Sequence, residues 1–216
     1  MKLIAHRGLI KVDDNENTIY SFLNALRDGR FVGVEFDVRE TLDNKFVVIH
    51  DAQISRVSDG YGVVEKMTYE QLLKFNFGTK KNPSKVVLVS EVLKLLPDMI
   101  KVIDVKNIKS YRKFVKLINK YKYNYVASFN TDIINNILEY KPIFDVGLFN
   151  NVLNSQADYD KYDFIGLHYL IATDNLIKYF LNNDMEVFIF TLTNIKQIEK
   201  INPLYLEKCF FIVKEV

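Results

Sequence analysis

The chain has 216 residues, 49% hydrophobic and 26% charged, enough to bury a sizeable core. Its net charge of +2 argues against a nucleic-acid binder, whose basic face would raise the charge further. The lone Cys209 excludes an internal disulfide, and no apolar run approaches the roughly 20 residues of a membrane span or forms a signal peptide, so a cytoplasmic protein without a transmembrane segment is expected.

Lys2 to His6 reads as a short buried strand ending in His6-Arg7-Gly8. After a polar loop, Asn17 or Thr18 can cap a helix whose stripe is Ile19, Phe22, Leu23 and Leu26, stopped by Gly29. The second strand runs from about Phe31 to Val38, and strand–helix–strand implies a parallel unit. Phe46 to His50 is strand-like too, but only Thr41 to Lys45 separate it from the extension of the second strand. A parallel crossover needs a dozen or more residues, so an antiparallel hairpin turning at Asp43-Asn44 is expected. Counting outward from that turn sets Arg39 opposite Val48 and Asp37 opposite His50. Residues 51 to about 88 are irregular, with a turn at Asp59-Gly60-Tyr61-Gly62 and a short helix from Thr68 to Phe75; Ser90-Glu91 starts the next helix.

Regular alternation then resumes. Strand-like runs are Lys101 to Lys106, Tyr125 to Ser128, Phe144 to Phe149, Phe164 to His168, Glu186 to Thr191 and Cys209 to Val213. Helical stripes lie between them, one capped by Thr131 and one by Thr173, with a weak helix expected between Asn150 and Lys161 and a short one at Ile195, Ile198 and Ile201. Eight strands in this rhythm fit an α/β architecture, the (β/α)8 TIM barrel, as a single domain over residues 1–216 with a small insertion at about 39–88. The chain ends just after the eighth strand, so the last helix would be missing. An open doubly wound sheet is the alternative.

The organising stretch is Val34-Glu35-Phe36-Asp37-Val38. Side chains two apart on a strand share a face, so Glu35 and Asp37 point the same way. Two anions side by side on a half-buried strand repel and are costly to desolvate, and such a pair usually persists where a cation binds. In a barrel the active site lies at the C-terminal strand ends. There stand His6-Arg7, Glu35 with Asp37, Asp104 with Lys106, and His168, while the hairpin returns His50 beside the acids. Glu35, Asp37 and Asp104 could supply the oxygen ligands of a hard cation, Mg2+ or Ca2+. Each residue also has a bland reading: a lone His6 or His50 as a structural histidine, Asp104-Lys106 as a surface ion pair, Cys209 as an inert core residue.

Ala5-His6-Arg7-Gly8, Glu16-Asn17-Thr18, Glu35-Phe36-Asp37-Val38, Thr41-Leu42-Asp43 and Val48-Ile49-His50-Asp51 together resemble, in order and spacing, the glycerophosphodiester phosphodiesterase family. Ile103-Asp104-Val105-Lys106 resembles its third metal-ligand strand, and Ser128-Phe129 its S-F strand end. The resemblance implies a (β/α)8 barrel with a small insertion after the second strand, and metal-assisted hydrolysis of a small-molecule glycerophosphodiester to sn-glycerol 3-phosphate and an alcohol. It implies metal ligation by Glu35, Asp37 and Asp104, acid/base roles for His6 and His50, and phosphate binding by Arg7 and Lys106, with His168 in a substrate-contact or structural role. Asp104 stands where the family usually has Glu, Phe190-Thr191-Leu192-Thr193 replaces a usual W-T-x-N, and Lys214-Glu215-Val216 stands in place of a T-D-x-P. An Asp at the third ligand position also resembles sphingomyelinase D-like phospholipases, making a lysophospholipase D-type activity on lysolipids the enzymatic alternative and an inactive phosphate-binding barrel the non-enzymatic one.

Overall fold

The computed structural model describes residues 1–153 and 158–215. In chain order it contains β1 (Lys2–His6), α1 (Ile19–Asp28), β2 (Phe31–Glu40), β3 (Phe46–Val48), α2 (Tyr69–Leu72), β4 (Val87–Leu88), α3 (Val89–Leu95), β5 (Ile100–Asn107), α4 (Tyr111–Ile118), β6 (Asn124–Ser128), α5 (Thr131–Leu138), β7 (Asp145–Asn150), β8 (Phe164–His168), α6 (Asp174–Asn182), β9 (Glu186–Asn194) and β10 (Phe210–Glu215). β1 pairs in parallel with β2 on one side and with β10 on the other. From β2 the ring continues through β5, β6, β7, β8 and β9 back to β10, so eight parallel strands close into a barrel. That closure excludes the open sheet.

Alternation along each strand divides the apolar residues into two cores. Inside the barrel, Ile4, Val102, Phe164, Phe188 and Phe210 form the floor, with Phe188 and Phe210 stacked at 4.4 Å. Outward-facing residues such as Phe36, Ile103 and Ile189 pack with the helices in a larger layer. Each buried Phe contributes about 2 to 3 kcal/mol. The aromatic floor fills the barrel's lower half, and the polar residues that build the cavity lie near the C-terminal strand ends. Small residues make room for the rings: a Cβ on Gly166 would overlap the Phe149 side chain.

Helix starts follow local hydrogen bonding. Thr18 caps α1 through the Ser21 N–H, and Thr173 caps α6 through the Leu176 N–H. Asn130, not Thr131, caps α5, its Oδ1 accepting from the Asp132 N–H at 2.9 Å, because an amide one residue earlier already satisfies that donor. Thr68 and Gln71 build a capping box at α2, which stops at Leu72 rather than reaching Phe75. The last stripe is a 3-10 helix over Ile195–Lys200. The weak helix expected between Asn150 and Lys161 falls in part on 154–157, outside the described residues. Among the described residues no helix is long and apolar enough to cross a membrane.

The hairpin forms, with a register one residue from the expected one: Val38 pairs with Val48, Arg39 with Val47 and Glu40 with Phe46. The loop has three residues rather than two. The Thr41 N–H donates to the Lys45 carbonyl at 2.9 Å, and Asn44 takes a left-handed conformation at φ 58°. Asn tolerates that conformation well. β3 then pairs with the two-residue β4, which no sequence pattern marked. Ile54, Val64, Leu72 and Phe77 bury themselves against Val47 and Ile49 as a satellite core beside the barrel mouth.

Candidate active site

Parallel register brings the polar side chains together. His6 lies opposite Glu35 across β1 and β2, and Asp37 lies opposite Asp104 across β2 and β5. The Ile49 N–H donates to the Asp37 carbonyl at 3.0 Å, which delivers the next residue, His50, to the same place. All eight residues singled out in the sequence line one cavity of about 180 Å3 at the C-terminal strand ends. The fold therefore converges them, including His168, whose Nδ1 accepts from the Leu170 N–H at 3.3 Å.

The first loop is shaped to serve that cavity. Arg7 is left-handed at φ 58°, uncommon for a residue with a side chain and concentrated at functional sites. Gly8 follows at φ 79°, and a Cβ there would collide with Ser21. The turn points the Arg7 N–H at Glu35 Oε2, 3.1 Å away, and brings the Arg7 guanidinium beside Asp37, Nε to Oδ2 3.1 Å. That last contact is an ion pair without hydrogen-bond alignment, since Arg7 Nε has no bonded partner. Lys106 reaches both acids, 2.5 Å from Asp104 and 3.2 Å from Asp37. Asn17 donates to Asp37 Oδ2 at 3.0 Å.

Glu35, Asp37 and Asp104 each offer a carboxylate oxygen within 4.8 Å of the others. All three are almost wholly buried. Burial pushes the Glu35 carboxyl well above the usual carboxylate range, and Asp37 and Asp104 add to the rise. Burial also raises Asp104, to about 6, against the pull of Lys106. At Asp37 the penalty of burial is outweighed by Lys106 and Arg7, and its carboxyl sits below its ordinary value. Burial, helped by Arg7, pushes the His6 imidazole down to about 3, so it is neutral at pH 7.

The donor set fits a hard divalent cation. Asp104 Oδ1 is buried with no hydrogen-bond partner among the described residues, as an acceptor awaiting a cation would be. Charge balance agrees. With all three ionised, as ligation of a cation requires, the carboxylates against Arg7 and Lys106 leave one uncompensated negative charge. A divalent cation converts that to one positive charge, which a phosphodiester monoanion neutralises.

Several contributors carried no assigned role in the sequence reading. Arg39 Nε donates to the His50 carbonyl at 2.8 Å, Asp51 holds the His50 ring, and Arg56 contacts Asp51. Phe129, Phe149 and Phe190 make an aromatic wall, with Lys106 Nζ 5.2 Å from the centre of the Phe129 ring. The signal for Phe149 and Phe190 was their inward place at strand ends. Arg56 gave no periodic signal because its partners are distant in sequence.

A model of the glycerophosphoryl diester phosphodiesterase family matches residues 6–204. The chain belongs to that family. A similar relative is a glycerophosphodiester phosphodiesterase of Caldanaerobacter subterraneus subsp. tengcongensis, 32% identical over 161 residues. That alignment covers 68% of this chain and only 65% of the relative. A second, from Bacillus altitudinis, is 36% identical over 99 residues, 44% of this chain and 40% of that one. The fold is shared with a glycerophosphodiester phosphodiesterase from Agrobacterium tumefaciens, TM-score 0.85 at 18% identity, covering 100% of this chain and 96% of that one. It is also shared with an Oleispira antarctica phosphodiesterase solved with the product sn-glycerol-3-phosphate, TM-score 0.85 at 19% identity over 99% of this chain and 93% of that one. Family membership accounts for the barrel, with the strands outside the ring an addition to it, and for an acidic cluster able to hold a metal ion.

Proposed function

We propose that the chain hydrolyses glycerophosphodiesters to sn-glycerol 3-phosphate and an alcohol. The observation that carries this reading is three buried carboxylates with converging oxygens, framed by His6, Arg7, His50 and Lys106 in one cavity. The product bound to the Oleispira relative supports the substrate class. Glu35, Asp37 and Asp104 would hold a divalent cation, Mg2+ or Ca2+, which would polarise the phosphoryl group and lower the pKa of an oxygen it touched. Arg7 and Lys106 bind the phosphate oxygens and stabilise charge developing on them. Neutral His6 can accept a proton, and His50, in the form that carries a proton on Nε2 as well as on Nδ1, can deliver one to the departing alcohol oxygen. The glycerol hydroxyl next to the phosphoryl ester loses its proton and attacks phosphorus, and the bond to the alcohol breaks as that oxygen is protonated. The cyclic phosphate that forms is opened by water, with the two histidines exchanging roles. The aromatic wall shields one side of the cavity from water.

A glycerophosphodiester analogue lacking the neighbouring hydroxyl tests this course. It should bind and inhibit without being cleaved. Turnover at the rate of the parent compound rules out attack by the substrate's own hydroxyl.

Cation binding should also depend on pH. A carboxyl raised to about 6 keeps its proton below that value, and the proton competes with the cation. Affinity for Mg2+ or Ca2+ should therefore fall as pH drops through 6, and binding near that pH should release protons. Titration calorimetry in two buffers of different ionisation enthalpy reads the release. In Asp104→Asn it should shrink and affinity should weaken clearly. Identical titrations for wild type and Asp104→Asn would remove Asp104 from the site.

A further inference from the structure

An unbroken line of ion pairs joins the guanidinium of Arg7 to the imidazole of His50. Arg7 Nη1 donates to Glu16 Oε1 at 2.9 Å. Arg56 grips the same carboxylate with both terminal nitrogens, 2.6 Å to Oε1 and 3.1 Å to Oε2. Its Nε donates to Asp51 Oδ2, and Asp51 Oδ1 lies 2.6 Å from His50 Nδ1. Arg56 is the shared member: one rigid guanidinium holds two carboxylates, each of which holds a different cavity residue. It sits on a 3-10 turn, Ile54–Arg56, anchored by the fully buried Ile54.

We propose that Arg56 is a positioning residue, which through Asp51 fixes the tautomer and orientation of the His50 ring and through Glu16 steadies Arg7. Arg56 Nε occupies Asp51 Oδ2 and so holds Oδ1 against the His50 ring; the ionised carboxylate only accepts. The proton between Asp51 and His50 then belongs to Nδ1. Nε2 is left as the nitrogen free to exchange a proton. Arg39 fixes the His50 backbone carbonyl independently, so Arg56 governs the ring rather than the chain path. The plainer role, riveting the inserted segment to the barrel, accounts for less. The Arg56 side chain is 48% exposed, and exposed pairs contribute little to stability. Lysine cannot replace it, because a single ammonium lacks the planar fork that serves two carboxylates at once.

The test uses the full chain and rests on the reading of His50 as an acid/base group only for its kinetic half. Long-range 1H–15N spectra report which imidazole nitrogen carries the proton, the His50 signals being those lost in His50→Ala. Wild type should show Nδ1–H. Arg56→Gln and Arg56→Lys, each checked for a wild-type melting profile, should both lose that preference, as should Asp51→Asn. Their kcat should fall on the order of 10- to 100-fold, as for outer partners that orient a functional imidazole. The loss in the Arg56→Gln, Asp51→Asn pair should fall short of the product of the two single losses, since both share the contact to His50 and only Arg56 acts also through Glu16. A retained Nδ1–H tautomer in Arg56→Gln overturns the proposal, as do losses that multiply in the pair. If the wild-type chain cleaves no glycerophosphodiester, the functional reading falls and the tautomer alone decides the role of Arg56.

Discussion

Replacing His6 or His50 with Ala should lower kcat by on the order of 100-fold or more, with a much smaller change in KM. Proton transfer is made only in the transition state, so its loss appears in the chemical step rather than in substrate affinity. Burial pushes the His6 imidazole down to about 3, so its ring is neutral at pH 7 with one nitrogen unprotonated. It lies 3.8 Å from Glu35 through Nε2, within the cluster but outside hydrogen-bond distance. His50 has the opposite design: Asp51 holds one ring nitrogen at 2.6 Å and the other remains available. His168 is the internal control. It lines the same cavity, but its Nδ1 is occupied by a backbone N–H, so His168→Ala should cost far less than either of the others. Steady-state kinetics on the three variants decides it. Near wild-type kcat in His50→Ala would reject the acid/base role.

The second large effect concerns Asp37. This carboxylate lies at the centre of the cluster, paired with Lys106 and Arg7 and accepting from Asn17. Asp37→Asn keeps the size and removes the charge. Two buried cations then lose their shared partner, and the cation site loses the acid most readily ionised. Breaking a buried charge pair costs about 3 to 5 kcal/mol of folding stability. The cation separately loses one of three charged ligands, so its concentration for half-maximal rate should rise by about 100-fold or more. Metal titration of activity measures it. An unchanged midpoint would mean that Asp37 serves only to neutralise Lys106 and Arg7.

The site was more legible in the sequence than the fold around it. Glu35-Asp37 and Asp104-Lys106 announce themselves because a period of two on a strand leaves only one place for both side chains. Barrel closure is a pairing between β1 and β10, across nearly the whole chain, and no local pattern carries it. The hairpin register slipped because it depends on whether Asn44 turns left-handed, a choice set by the loop rather than by the flanking strands. β4 is two residues long, too short for a period to appear. The line through Glu16, Arg56 and Asp51 joins residues 40 and 5 apart in the chain, and neither spacing is that of a helix face or a strand face.

The most direct measurement is turnover of glycerophosphocholine by the purified chain with Mg2+, with Ca2+ and with EDTA, following sn-glycerol 3-phosphate. The account predicts product with at least one of the two cations, loss of activity in EDTA, and recovery when the cation is restored. Cleavage that persists undiminished in EDTA, or no cleavage with either cation, contradicts it.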